Sequence, residues 1–285
     1  MRHGFLLIDK PAGPTSHDIV AIVRRTLSER SVGHLGTLDP AASGLLVLAV
    51  GAKALKAIEL FMGLSKEYVA GVTLGKVSTT YDQDGRIEDF PIKPGVPEPE
   101  IETVLRLIRE RFVGKIRQAP PAHSAVHIDG ERAYEKARRG EEVVMPEREV
   151  TIESCEVESF AYPNLKLRVR CGSGTYIRSL ANDLGAALRT GGYLTGLRRT
   201  KVGEWQVEQA VAPEAIGWTK VTPMKEVLKS LPGIDLTDEQ MAEIKQGRDI
   251  HASIEIPNTV AWHGGLPVAL LVSSGHRQAH PRKVF

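Results

Sequence analysis

Six consecutive apolar residues, Leu45-Leu46-Val47-Leu48-Ala49-Val50, stand between Gly44 and Gly51 and read as a buried β-strand. Immediately before them runs His34-Leu35-Gly36-Thr37-Leu38-Asp39-Pro40-Ala41-Ala42-Ser43-Gly44. Proline holds the residue before it in extended conformations, which keeps Asp39 out of a helix. Gly36 and Gly44 permit tight backbone paths on either side. One carboxylate fixed in a rigid turn beside a buried strand suits a nucleophile or a general base. The Asp-Pro dipeptide alone signals only a turn.

Elements of both kinds are expected around this segment. Phe5 to Lys10 reads as a first strand, and Thr15-Ser16 caps a helix from His17 to about Leu27. Further helices are expected over 52–64, over 100–112 with Ile101, Val104, Leu105 and Ile108 on one side, over 131–139 and over 176–189. Strands are expected over 68–74, 150–160 and 165–171. In the last, Leu165, Leu167 and Val169 alternate with Lys166, Arg168 and Arg170, giving one buried and one basic, exposed face. Asp82-Gln83-Asp84-Gly85 reads as a turn, Pro91 to Pro99 as a connector and Pro120 to Gly130 as an irregular excursion. From about residue 229 a small, mostly β module is expected, with a helix over 235–246 and strands at Ile254–Ile256, 259–262 and 266–273.

Composition excludes more than it selects. The mixture of 42% hydrophobic and 25% charged residues over 285 positions is that of an ordinary globular protein. No apolar run approaches the roughly 20 residues of a membrane helix, and the N-terminus lacks the features of a secretory signal. Two cysteines, Cys155 and Cys171, make neither a disulfide framework nor a zinc cluster, so the cytoplasm is the expected compartment. The net charge of +2 does not demand a polyanionic partner. Three basic clusters, Arg24-Arg25, Lys136 with Arg138-Arg139, and Arg198-Arg199 with Lys201, would bind phosphate if folding gathered them on one face; singly they are solvated charges. His-Glu-x-x-His, Cys-x-x-Cys and Gly-x-Ser-x-Gly are absent, which leaves a metal hydrolase or a serine triad without support.

Four segments concentrate reactive or turn-forming residues: Lys10 to His17, the Asp39 turn, Lys66-Glu67-Tyr68, and Cys171 to Gly185, where a glycine turn enters a helix carrying Tyr176 and Arg178. Singly, Tyr68 is a core or rim residue, Arg178 a structural ion pair, and His17 and His34 capping or turn residues. Converging, they make a coherent set. An arginine beside Asp39 is expected to keep it ionised, lowering its pKa by about 1–3 units. Aromatic rings sandwich a planar substrate, each stacked base being worth about 1–3 kcal/mol.

These segments, with Gln118 to Glu135 and Leu197-Arg198-Arg199-Thr200, resemble the TruB-type tRNA pseudouridine-55 synthases in order and spacing over nearly the whole chain. The resemblance implies an α+β fold, a mixed, mainly antiparallel sheet with flanking helices, over 1–228, with an RNA-gripping insertion at about 118–139. It implies a PUA-like RNA-binding module over 229–285. The family detaches uracil from its ribose in the T loop of transfer RNA and rejoins it through carbon 5. Asp39 matches the nucleophile, which attacks the ribose or the base or deprotonates the sugar; the three remain open. Tyr68 matches the tyrosine that stacks on the flipped base, and Arg178 the arginine that pairs with the aspartate. His34, Tyr176 and Leu197 match pocket positions, and Lys10 and Pro11 the supporting loop. No cofactor, metal or guide RNA is implied, transfer RNA is the partner, and a monomer is expected. One departure stands in Gly75 to Asp82, where the family pattern carries an acidic residue nearer Thr79. Two other readings are a protein of the same fold that folds transfer RNA without chemistry, against which the intact Asp39, Tyr68 and Arg178 argue, and a glycosidase, for which Asp39 has no second acid.

Overall fold

The computed structural model describes residues 3–91, 97–124, 127–128, 130–139, 141 and 143–285. The middle of the expected proline-rich connector, Ala125 and Val126 of the expected RNA-gripping insertion, and the side chains of Arg132, Glu135 and Arg138 lie outside the described residues.

In chain order the first half comprises β1 (Gly4–Lys10), α1 (Ser16–Leu27), β2 (Val32–His34), β3 (Ser43–Val50), α2 (Ala52–Ala57), β4 (Lys66–Leu74), a hairpin of β5 (Lys76–Ser78) and β6 (Ile87–Asp89), and α3 (Ile101–Arg111). Then come β7 (Gly114–Gln118), a hairpin of β8 (His127–Ile128) and β9 (Glu131–Arg132), α4 (Ala133–Arg138), β10 (Arg148–Ala161), β11 (Asn164–Cys171), α5 (Ile177–Leu188), β12 (Gly192–Val202), β13 (Trp205–Gln206), β14 (Thr222–Pro223) and α6 (Met224–Leu228). The C-terminal part holds β15 (Gly233–Asp235), α7 (Asp238–Lys245), β16 (Ile250–His251), β17 (Thr259–His263), β18 (Leu266–Gly275) and β19 (Gln278–Val284).

One ten-stranded sheet organises the larger part of the molecule, in the order β14-β1-β3-β12-β4-β11-β10-β7, with β2 on β3 and β13 on β12. Its pairings are antiparallel except β12 with β3, so the mixed, mainly antiparallel architecture expected from the resemblance is present. β3 is buried on both faces, as six apolar residues in a row require. Thr15 caps α1 through a capping box with Asp18, and Ile19, Val20, Val23 and Leu27 pack under the sheet with Leu6, Ile8, Leu46 and Leu48. On the other flank, α3 and α5 lay Val104, Ile108, Leu180 and Leu184 against Ala70, Val72, Leu167 and Val169.

Several expectations change. Residues 52–64 form only a short α-helix followed by a 3-10 turn at Ile58–Phe61, which sets Phe61 edge-on against Phe5 at 5.1 Å. Leu105 faces solvent, and Leu107 takes its place in the buried face of α3. Ile254–Ile256 is not a strand: Pro257 follows it, and Ile256 is exposed. β19, absent from the sequence reading, fills the sheet there by pairing with β16 and β18. The β11 basic face is present but neutralised, for Lys166, Arg168 and Arg170 pair with Glu158, Glu67 and Glu153.

The C-terminal sheet, β15-β17-β18-β19-β16, has its own small core of Leu236, Ile244, Ile250, Ala261, Ala269, Leu271 and Ala279. Its other face is not free. Val260 and Leu270 join Phe5, Phe61, Met224 and Leu228 in one buried cluster. Among the described residues no helix is long and apolar enough to cross a membrane.

Candidate active site

The sheet register assembles the site. Lys10 lies opposite Gly44, Gly44 opposite Arg199, and Arg199 opposite Tyr68, so residues far apart in sequence form one row across four strands. Gly44 has φ near +100°, and a Cβ there would stand 2.3 Å from the Arg199 carbonyl oxygen, so only glycine lets β3 and β12 approach. The turn carrying Asp39 leaves this row and is held on both sides. Ser16 Oγ donates to the Leu38 carbonyl and accepts from the Leu38 N–H, both at 2.9 Å. Lys10 Nζ donates to the Pro40 carbonyl at 3.1 Å, and Gly13 N–H to the same oxygen at 2.8 Å.

Two buried cations brace this turn without touching its carboxylate. Lys10, wholly buried, also donates to the Pro11 and Pro14 carbonyls. Pro11 itself is exposed and contributes through that carbonyl. Arg199, 1% exposed, donates Nε to Leu45 O at 2.7 Å and a terminal nitrogen to Gly36 O at 3.1 Å. Arg199 is therefore no part of a surface cluster. Arg198 beside it forms a two-fold ion pair with Asp9, and Lys201 faces Glu67, so this cluster presents no open phosphate surface.

Asp39 meets Arg178. The first turn of α5 brings the Arg178 Nε to 3.1 Å from Asp39 Oδ2, and a terminal nitrogen of the same guanidinium stands 3.3 Å from Asp82 Oδ2. Arg178 also donates to the carbonyls of His123 and Thr80. One arginine thus bridges two carboxylates at the foot of a narrow cleft lined by Asp39, Ala42, Asp82, Thr195 and Leu197 among others. The sequence reading treated Asp82 only as part of a turn. Nothing in Asp-Gln-Asp-Gly distinguishes it; its role comes from Tyr81, at φ +64°, and from the bridge of Asp82 to Leu194.

The expected lowering of the Asp39 pKa does not occur. The carboxylate opens 43% of its side-chain surface to the cleft but is enclosed by protein elsewhere. Burial pushes its pKa above the usual aspartate value, Arg178 pulls it down, and Asp82 and Asp84 push it up again. Tyr68 is packed between two core clusters, and burial raises its phenol above the usual tyrosine value, Arg199 opposing.

The remaining predicted positions lie outside the residues lining the cleft. The His34 ring packs edge-on against His17 with centroids 5.5 Å apart, its Nδ1 is buried without a partner, and burial lowers its pKa. Tyr176 caps α5, its backbone clamped from both sides by the Gln118 side chain at 2.8 and 3.0 Å, and the Arg148 guanidinium lies 5.0 Å over its ring.

Residues 24–177 match the family model of the TruB family pseudouridylate synthase, N-terminal domain. The tRNA pseudouridine synthase B of Leifsonia xyli is 42% identical over 95% of this chain and 90% of its own length. The protein of that name from Thermobifida fusca is 40% identical over 96% of this chain and 92% of its own. Two solved structures share the fold at 24% identity and cover 99% of this chain and 84% of their own: an H/ACA RNP bound to a substrate RNA containing 2'-deoxyuridine, with a TM-score of 0.70, and a Cbf5-Nop10-Gar1 complex, with a TM-score of 0.71. An Asp39–Arg178 ion pair beside the cleft, a family match across more than half the chain and relatives aligned along nearly all of it lead to one conclusion: this chain belongs to the TruB family of pseudouridylate synthases.

Proposed function

We propose that this chain isomerises uridine 55 in the T loop of transfer RNA to pseudouridine. The observation that carries the reading is the Asp39–Arg178–Asp82 bridge at the foot of the cleft beside Leu197. The reaction breaks the bond from ribose C1′ to N1 of uracil, forms one from C1′ to C5, moves the C5 proton off carbon and leaves a proton on N1. Atoms balance with no redox change, so a carboxylate, a proton acceptor and a stacking wall suffice. A uridine inside a folded loop must be extruded to reach Asp39, at a cost of a few kcal/mol.

Asp39 is the nucleophile in this reading, toward ribose or base, or the base that deprotonates the sugar. Arg178 orients it and stabilises its ionised form. Tyr68 stacks on the extruded uracil; as acceptor of the C5 proton it must first give up its own and act as a phenolate, a form that burial disfavours and the Arg199 guanidinium favours. Leu197 bounds the pocket, His34 and Tyr176 meet the RNA beyond the cleft lining, and Lys10 and Pro11 hold the loop. Residues 1–228 form the catalytic part and 229–285 an RNA grip, acting in the cytoplasm as a monomer without a guide RNA.

Incubation of the pure protein with an unmodified transfer RNA transcript, with no cofactor or guide added, followed by site-resolved mapping, tests this. Conversion at a single T-loop uridine is expected. Asp39→Asn is expected to abolish it while RNA affinity stays within a few-fold, and conversion by that variant would remove Asp39 from the chemistry.

A further inference from the structure

A second concave feature lies at the opposite end of β1 from the Asp39 turn. Six residue steps from Gly4 to Lys10 put about 20 Å of strand between them. This pocket holds about 610 Å³ and is walled from both halves of the molecule by His3, Lys53, Trp218, Lys225, Leu266 and Pro267. Its size is that of a site for a small organic ligand.

The chemistry of its wall is specific. Trp218 and Pro267 line it, Trp218 with its other contacts in the core under the sheet, and Leu266, at the β17–β18 turn, leaves 58% of its surface exposed. Lys53 and Lys225 are exposed and face no carboxylate within ion-pair distance among the described residues, and no acidic side chain lines the pocket. The His3 Nδ1 is buried with no hydrogen-bond partner, while its backbone is fixed by the Met224 N–H donating to His3 O at 3.0 Å. Apolar side chains, two ammonium groups without a carboxylate partner and an imidazole nitrogen without a hydrogen-bond partner, both among the described residues, fit a flat heteroaromatic body carrying an anionic group.

We propose that this pocket binds a nucleotide, with the base against Trp218 and Leu266 and the phosphate between Lys53 and Lys225. The nucleotide is either free in solution or an unpaired nucleotide of the RNA held in the cleft; the second source rests on the proposed function, the first does not. The site is distinct from the catalytic cleft, whose lining residues it does not share.

Calorimetric titration of the full-length protein with AMP, with inorganic phosphate as control, tests the free source. Filter binding of a transfer RNA transcript tests the other. For whichever source is bound, the pair Lys53→Glu and Lys225→Glu is expected to weaken affinity at least tenfold. Leu266→Ser, neutral and at an exposed position, is expected to weaken it about threefold, separating pocket filling from general attraction between charges. Asp39→Asn is expected to leave AMP binding unchanged. Loss of AMP affinity assigns the free nucleotide; loss of RNA affinity alone, with pseudouridine formation by saturating enzyme intact, assigns the RNA. Affinities for both ligands that ignore Leu266→Ser overturn the proposal. A wild-type protein that forms no pseudouridine removes the proposed function but leaves the AMP result standing.

Discussion

Arg178 faces two carboxylates at once, and that geometry modulates the upward shift that burial gives Asp39. Because burial raises the Asp39 pKa, turnover by the ionised form is expected to fall, as pH drops, at a value above the ~3.9 of an unperturbed aspartate. Asp82→Asn removes a charge that raises this pKa and leaves the guanidinium to Asp39, so the acid limb of single-turnover rates is expected to move to lower pH. A limb that stays or moves upward contradicts the coupling. The same shift has a sign for stability. The native state holds the Asp39 proton more tightly than the unfolded chain, so stability from this group declines as pH rises from the unfolded to the folded pKa. At neutral pH Asp39→Asn is therefore expected to keep or raise the melting temperature while abolishing turnover. Asp39 and Arg178 were legible because both sit in long distinctive segments. Arg199 was not: in Arg-Arg-Thr-Lys it reads as a solvated charge, and only the register opposite Gly44 and Tyr68 buries it. Arg199→Met strands the Leu45 and Gly36 carbonyls and is expected to cost on the order of 3 kcal/mol in urea unfolding, with slower turnover as the Asp39 turn loosens.

Strand β12 is the element on which the site depends most and the one that periodicity concealed. It joins β3 to β4 at the centre of the sheet, yet Gly192, Gly196 and four consecutive polar residues erase the alternation that marks a strand. Its polar positions are occupied by internal partners: Arg198 by Asp9, Arg199 by carbonyls, Thr200 and Lys201 by Glu67. Strands β3 and β11 were legible because their burial follows apolar residues alone. Helix α5 reaches β12 through glycine. A Cβ at Gly185 would stand 2.2 Å from the backbone of Gly191 and Gly192, where no side chain can yield. Arg178 rides on this helix two turns earlier. Gly185→Ala is therefore expected to destabilise by about 1–3 kcal/mol and to lower kcat by displacing Arg178 from Asp39. Gly63→Ala, with nothing within 4 Å of its Cβ, is the neutral control. Thermal unfolding and single-turnover rates on both variants check the pair; equal effects would remove the close approach as the cause.

At the scale of the whole molecule, the C-terminal sheet is bound by two kinds of contact that differ in strength. The ionic part joins β19 to the segment after β3: Lys283 and Arg282 reach Glu59 at 2.8 and 3.2 Å, and Lys56 donates to the Val284 carbonyl at 2.7 Å. These groups are partly exposed, and such pairs contribute about 0–1 kcal/mol each. The apolar part is Val260 and Leu270, fully buried with Phe5, Met224 and Leu228. Emptying the Leu270 site removes transfer energy and leaves a cavity, a loss of about 2–5 kcal/mol for Leu→Ala. Leu270→Ala is therefore expected to destabilise the full chain well beyond Glu59→Ala, and the reverse ranking would make the ionic contacts the principal bond. A mostly β module was expected from about residue 229, but a sequence cannot display that Val260 and Leu270 are shared with the core around Phe5, Met224 and Leu228. Because they are shared, the full chain is expected to unfold in urea as one transition, and residues 1–228 alone at a lower midpoint, with Met224 and Leu228 newly exposed. Two separate transitions, the first matching the truncated chain, would mean that the module only rests on the sheet rather than completing its core.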